Sequence, residues 1–314
     1  GGADINIADQ HGQTIFHEVA RSWNTDIAYF LIQLGGDVNK QDSFGRSPLH
    51  VAAAVDYVEM TEFLLVNNAN IDSKTNGDCQ APIHYAAKNG ATRSLKMLLS
   101  FNANIDTLDS KRRTPLQVAA EWSRGKAAKI LINEGAASCL LDITGNSALC
   151  VLINNLPNLA IEALNQLHHT DVITLREYFY LQYLEASRQK VETKTARTPL
   201  ETAVVNLKYE VITHPVMCRL VHNKWQRFGR FSTAFHLFFH VIFGIAWTVF
   251  CLGTPKSGKD LYNEQVDRVW KITLGVFILL MTLYDIGKHI EATLKSRKSQ
   301  RNWIKWKMEQ LEYD

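Results

Sequence analysis

The feature that most limits how this chain can fold is a repeat. Six segments share one pattern: Thr14-Ile-Phe-His-Glu-Val-Ala, Ser47-Pro-Leu-His-Val-Ala-Ala, Ala81-Pro-Ile-His-Tyr-Ala-Ala, Thr114-Pro-Leu-Gln-Val-Ala-Ala, Ser147-Ala-Leu-Cys-Val-Leu and Thr198-Pro-Leu-Glu-Thr-Ala-Val. Their starts are separated by 33, 34, 33, 33 and 51 residues. A second series, Ala3-Asp-Ile-Asn, Gly36-Asp-Val-Asn, Ala69-Asn-Ile-Asp and Ala103-Asn-Ile-Asp, runs in phase with it. A period of this size builds a solenoid, because one unit cannot bury its apolar face alone and stacked neighbours complete the core. Thr or Ser stands where a helix begins, and Pro follows at the first helical position, where its missing N–H has no partner to lose. The Leu and Ala positions are expected to pack between units. The tips Asp9-Gln-His-Gly12, Asp42-Ser-Phe-Gly45 and Asp142-Ile-Thr-Gly145 put Gly where a turn needs positive φ. Apolar runs such as Phe63-Leu64-Leu65 and Met97-Leu98-Leu99 read as the ends of second helices.

These residues match the ankyrin repeat, whose period is 33 and whose signature is T-P-L-H-x-A. The departures are local. Ile15 replaces the Pro, Ala81 replaces the cap, Arg112 sits at a tip Gly position, and the unit at Ser147 is poor. The step of 51 residues is one period plus an insertion of 18. That insertion is expected to be a helix around Asp171–Ser187, with Tyr178, Phe179, Tyr180 and Tyr183 as packing residues. His17, His50 and His84 recur in register. A shared metal fails on distance, since stacked helices lie ~8–10 Å apart; the expected role is a bond to turn backbone. Lys111-Arg112-Arg113 reads as a solvated charge run at one tip, with a partner contact as the alternative.

Apolar residues concentrate after residue 230. Phe231–Leu252 contains no Asp, Glu, Lys or Arg, and at ~1.5 Å per residue it matches a ~30 Å hydrocarbon core. A transmembrane helix is expected there, with His236 and His240 four apart on one face. The second expected span is weaker: Val269–Gly287 admits Lys271 and Asp285. Lys271 can snorkel, and Trp270 and Tyr284 suit interfacial belts. Lys224, Arg227 and Arg230 precede the first segment, and seven basic residues, Lys288 to Lys307, follow the second. By the positive-inside rule both flanks are cytosolic and the loop between lies outside.

The expected fold class is therefore all-α, an ankyrin solenoid followed by connector helices and a transmembrane helical hairpin. The expected order is repeats over 1–156, a connector with the insertion and last repeat over 157–212, and a premembrane helix over 213–230. A first span over 231–252, a loop over 253–267, a second span over 268–288 and a basic cytosolic helix over 289–314 follow. The opening Gly1-Gly2 reads as the tail of a repeat whose start is absent, and Leu311–Asp314 stops inside a helical pattern, so both ends read as cut.

Composition excludes several classes. A net charge of +3 does not suit a nucleic-acid binder. Five cysteines, Cys79, Cys139, Cys150, Cys218 and Cys251, form no CxxC pair and suit reduced thiols rather than a disulfide or zinc framework. No P-loop, GxSxG or HExxH occurs, so neither enzymatic activity nor a cofactor is expected.

His214-Pro-Val-Met-Cys218, followed by Lys224-Trp-Gln-Arg-Phe-Gly229, resembles the stretch before the first membrane segment in the TRPA subfamily of transient receptor potential cation channels. The layout, a final TPLE-type repeat, a connector and two membrane segments, is similar too. The resemblance implies a homotetrameric, multi-pass plasma-membrane channel subunit in sensory transduction, with this chain on its sensor side and the pore elsewhere. On chain order alone, His214, Pro215, Trp225, Phe228 and Gly229 are expected to couple the repeats to gating. The absence of cysteine from 151–213 argues against electrophile sensing, and the chain looks more like the Painless- and Pyrexia-like branches. Lys298, Arg301, Trp303 and Lys305, in a basic aromatic tail, suit an anionic lipid such as phosphoinositide. A solvated flank and a calmodulin target are the other readings of that tail. Two rivals to the channel are a membrane-anchored ankyrin adaptor and an ankyrin-type palmitoyltransferase whose catalytic domain lies outside these residues.

Overall fold

The computed structural model describes residues 5–22, 24–171, 174, 176–185 and 197–252, together with the isolated positions 275, 276, 279, 282, 283, 287, 290 and 294. It divides into two units, residues 1–220 and 221–314.

The first unit is a stack of helix pairs: α1 (Ile15–Ser22) with α2 (Thr25–Gln33), α3 (Pro48–Val55) with α4 (Val58–Val66), α5 (Pro82–Asn89) with α6 (Thr92–Ser100), α7 (Pro115–Glu121) with α8 (Gly125–Asn133), and α9 (Ala148–Asn155) with α10 (Pro157–Asn165). After the insertion, α12 (Pro199–Val205) is followed by α13 (Tyr209–Ile212). First helices pack on first helices and second on second through the series. Each is too short to persist alone in water, so packing rather than propensity holds it. The buried residues fall at the repeating Leu, Ile and Ala positions, among them Leu49, Ile83, Leu116 and Leu149, each contributing about 1.5–3 kcal/mol if large and aliphatic.

The caps follow the sequence signature. Thr114 Oγ1 accepts the Gln117 N–H at 3.2 Å, and Thr198 and Glu201 close a reciprocal capping box. Ala81 has no side-chain acceptor; instead His84 Nδ1 accepts the Ala81 N–H at 3.2 Å.

The tips are joined to one another. Ser43 N–H donates to His11 O at 3.0 Å, Asn76 to Phe44 O at 2.8 Å, Ser110 to Asp78 O at 2.8 Å and Ile143 to Lys111 O at 3.1 Å. The residue that opens each tip shapes the turn, an Asp in most of them and Thr75 in the third, whose Oγ1 accepts the Gln80 N–H at 3.0 Å. Asp42 Oδ1 accepts the N–H groups of Phe44 at 3.0 Å and Arg46 at 2.8 Å, while Oδ2 takes the Arg46 guanidinium at 2.7 Å. Asp109 repeats this with Lys111 and Arg113. Gly45 has φ +78°, and a Cβ there would collide with Asn76 N of the next tip. Arg112, in the corresponding position, is held at φ 58° despite its side chain.

The inserted segment differs from the helix expected at Asp171–Ser187. β1 (His168–Thr170) pairs antiparallel with β2 (Glu177–Phe179), in register His168↔Phe179, and a four-residue helix, α11 (Gln182–Glu185), follows. The fold is thus not purely helical. The reason is period: Phe179 and Leu181 turn toward the core and Leu184 is fully buried, while Tyr178, Tyr180 and Tyr183 are half-exposed. Aromatic and β-branched residues alternating in this way suit a pleat better than a helical face. Packing is therefore the role of Phe179 but not of those three tyrosines. Residues 186–187 of the expected helix lie outside the described residues.

After the last repeat, α14 (Pro215–Lys224), one π-turn (Trp225–Gly229) and α15 (Arg230–Leu252) follow in succession. Among the described residues no helix is long and apolar enough to cross a membrane, so the expected transmembrane hairpin is not part of the described fold. The α15 backbone itself has 23 residues. In the second expected span only isolated helical positions are described, and the loop at 253–267 lies outside the described residues. His236 is likewise undescribed in its side chain, and His240 is exposed.

Candidate functional site

Two features set this stack apart chemically: a ladder of side-chain donors between repeats, and the junction that leads out of the last repeat. The ladder begins with the registered histidines. His17 Nε2 lies 2.9 Å from Arg46 O, His50 Nε2 3.0 Å from Gln80 O and His84 Nε2 3.1 Å from Arg113 O. In each ring Nδ1 accepts a backbone N–H, from Thr14, Ser47 and Ala81 respectively. A ring nitrogen that accepts leaves the other to donate, so the geometry selects the neutral Nε2–H form. Each imidazole therefore clips its own helix start to the next repeat's tip, and the expected bond to turn backbone is what the structure contains. Among the described residues no group of three metal-ligating side chains comes together.

Where the histidine is missing, other donors take its place. Gln117 Nε2 donates to Asn146 O at 3.2 Å and to Asp142 Oδ2 at 3.0 Å, though its buried Oε1 finds no partner among the described residues. Cys150 Sγ donates to Arg197 O at 3.5 Å. That bond joins residues 47 apart instead of 29 or 30, so the 18 inserted residues loop out while the register of the stack continues. α12 packs directly on α9 and α13 on α10.

Burial tunes the clips. It pushes the His50 imidazole down to about 4, against weaker opposing effects of the Gln80 carbonyl and Asp42. His84 is lowered for the same reason. Burial also pushes the Cys139 thiol up to about 11. Cys79, Cys139, Cys150 and Cys218 are all free thiols, and of these Cys218 is exposed.

The expected coupling residues fall into the two units. In the first, His214 is buried and its Nε2 lies 2.9 Å from Asn165 Oδ1, at the end of α10. Burial lowers its pKa, with His168 adding to the effect. Pro215 opens α14, and Val216, Met217 and Leu220 bury that helix against the first unit's core. The His-Pro pair is therefore a helix start pinned to the fifth repeat. In the second unit the Trp225–Gly229 turn carries an i+5 bond, the Arg230 N–H donating to Trp225 O. A Cβ on Gly229 would overlap the Trp225 ring, so this position needs glycine for the close approach. Phe228 is exposed. Lys298, Arg301, Trp303 and Lys305 lie outside the described residues.

A concavity of about 470 Å³ between the starts of α8 and α10, lined in part by Lys126, Lys129, Leu156 and Pro157, was not expected from the sequence. Lys129 is engaged by Glu162 at 3.0 Å. The sequence signal for it is the Asn155-Leu-Pro157 break, which separates two helices with one residue between.

The family description for ankyrin repeats matches residues 1–75, 67–143 and 83–172, more than half of the chain. This chain belongs to the ankyrin-repeat family. Similar proteins include the Neurogenic locus Notch protein of Drosophila melanogaster, 42% identical over 69 residues, which is 22% of this chain and 3% of Notch. Transient receptor potential cation channel subfamily A member 1 of Homo sapiens is 38% identical over 77 residues, 24% of this chain and 7% of the channel. Alpha-latrotoxin-Lt1a of Latrodectus tredecimguttatus is 36% identical over 76 residues, 24% of this chain and 5% of the toxin. The matched stretches are thus a small part of each relative.

Proposed function

We propose that this ankyrin-repeat chain is the sensor-side part of a TRPA-like cation channel subunit, with its repeats in the cytosol and α15 as a membrane segment. The observation that carries the reading is the order of elements after the last repeat. A helix pinned through His214 is followed by the turn at Trp225–Gly229, where the Trp225 ring lies against Gly229, and then by α15. After that turn the sequence runs from Phe231 to Pro255 without a charged residue, long enough for a ~30 Å core. The likeness to the human channel supports the reading. The Notch and latrotoxin matches fit a general repeat protein equally, so the weight rests on the segment after the repeats. In this reading the stack is an arm whose displacement reaches the membrane through α14, in a homotetramer of the plasma membrane. The basic tail is proposed as a contact for phosphoinositide, or for calmodulin.

The test is electrical and uses the full-length protein. Cells expressing it should show cation currents on heating, stretch or chemical stimulation. Inserting flexible residues between Thr213 and His214 should abolish the response while leaving surface expression intact. Full-length protein that reaches the surface without current, or that gates normally with the insertion, would sink this reading in favour of an adaptor.

A further inference from the structure

The turn before α15 carries a surface feature that coupling does not require. Large aromatic side chains at positions three apart are exposed: Trp225 at 53%, Phe228 at 70% and Phe231 at 78%. Cations at the same spacing, Lys224, Arg227 and Arg230, immediately precede them. A soluble surface rarely leaves three such rings open in eight residues, whereas aromatics beside basic residues are the composition of a bilayer interface. The sequence on either side of them is one-sided in charge: from Val211 to Lys259 the chain holds no Asp or Glu. Gly229 adds a geometric element, since only glycine lets the Trp225 ring lie along the turn.

We infer that Lys224–Phe231 is a docking collar for an anionic phospholipid surface. The rings sit at headgroup depth and the cations meet the lipid phosphates and carboxylates. This rests on the membrane part of the proposed function and not on channel activity.

The test places the whole chain in nanodiscs of phosphatidylcholine, with or without phosphatidylserine. Trp225 is isolated as the difference in fluorescence between the parent and Trp225→Phe. Lipids brominated near the headgroup should quench it more than lipids brominated at mid-chain. Phosphatidylserine retained on purification should fall about fivefold for each of Lys224→Gln, Arg227→Gln and Arg230→Gln, the effect of one basic residue at an anionic surface. Arg227→Lys should retain it, which separates charge from misfolding. Retention unchanged in the triple Gln variant, or Trp225 quenched by neither lipid while the chain stays in the disc, would overturn the collar and leave the membrane segment standing. A chain recovered free of lipid would overturn both.

Discussion

His50 offers a direct measure of how much one inter-repeat clip contributes. The ring is fully buried, and Asp42, Arg46, Ser73 and Gln80 surround it. In the unfolded chain it titrates near 6.5, and in the fold near 4. The folded pKa is depressed, so the unfolded state binds the extra proton between those values. Stability should be complete above pH 6.5 and decline as pH falls toward 4. At ~1.4 kcal/mol per unit the loss approaches about 3 kcal/mol. His50→Gln is the informative variant, because Gln117 already performs this task in the fourth repeat. It keeps a donor for Gln80 O but loses the acceptor for the Ser47 N–H and leaves its own oxygen unpartnered. A cost of about 1–2 kcal/mol at pH 7 is expected. Urea titrations of parent and variant across pH 4 to 7 should show most of the 3 kcal/mol slope removed in the variant. Hydrogen exchange at the Ser47 amide should follow the same pH course. An unchanged slope in His50→Gln, or a His50 NMR resonance titrating near 6.5 in the folded protein, would refute the reasoning.

Four further outcomes follow from the tips and thiols. Gly45→Ala should destabilise the chain by about 1–3 kcal/mol through its positive φ and the collision with Asn76, whereas Arg112→Gly should stabilise it by about 1 kcal/mol; thermal midpoints moving the other way would refute both. Asp42→Ala should cost about 3 kcal/mol, since it strips two backbone donors and the Arg46 guanidinium of a carboxylate whose side chain is 0% exposed, and denaturant midpoints measure it. Maleimide at neutral pH should label the exposed Cys218 in the folded chain well before Cys139, which is partly buried and whose thiol is pushed up to about 11; mass spectrometry showing Cys139 labelled as early as Cys218 would contradict this.

Much of this fold is legible in the sequence because its rules are local and recur. Ser47, Thr114 and Thr198 cap, Pro follows, and the Leu and Ala positions three and four apart mark the inner face; one chemistry read six times rules out a chance match. The histidine clips are legible too, since residues fixed at a 33-residue spacing must meet the same neighbour each time. Other features depended on contacts distant in sequence. That Gln117 and Cys150 replace the histidine, and that Arg112 accepts a left-handed backbone, is decided by the neighbouring tip and not by the residue. The inserted segment becomes a hairpin because Phe179 finds His168 to stack on at 4.6 Å and the core beside it, which a scan for helical spacing cannot register. The need for Gly229 appears only once the Trp225 ring is in place above it. The sequence by itself therefore determined the stack, its caps and its inter-repeat clips, because local geometry suffices for each. Tertiary structure alone decided the exceptions, because there packing against a partner outweighs the propensity of the residue.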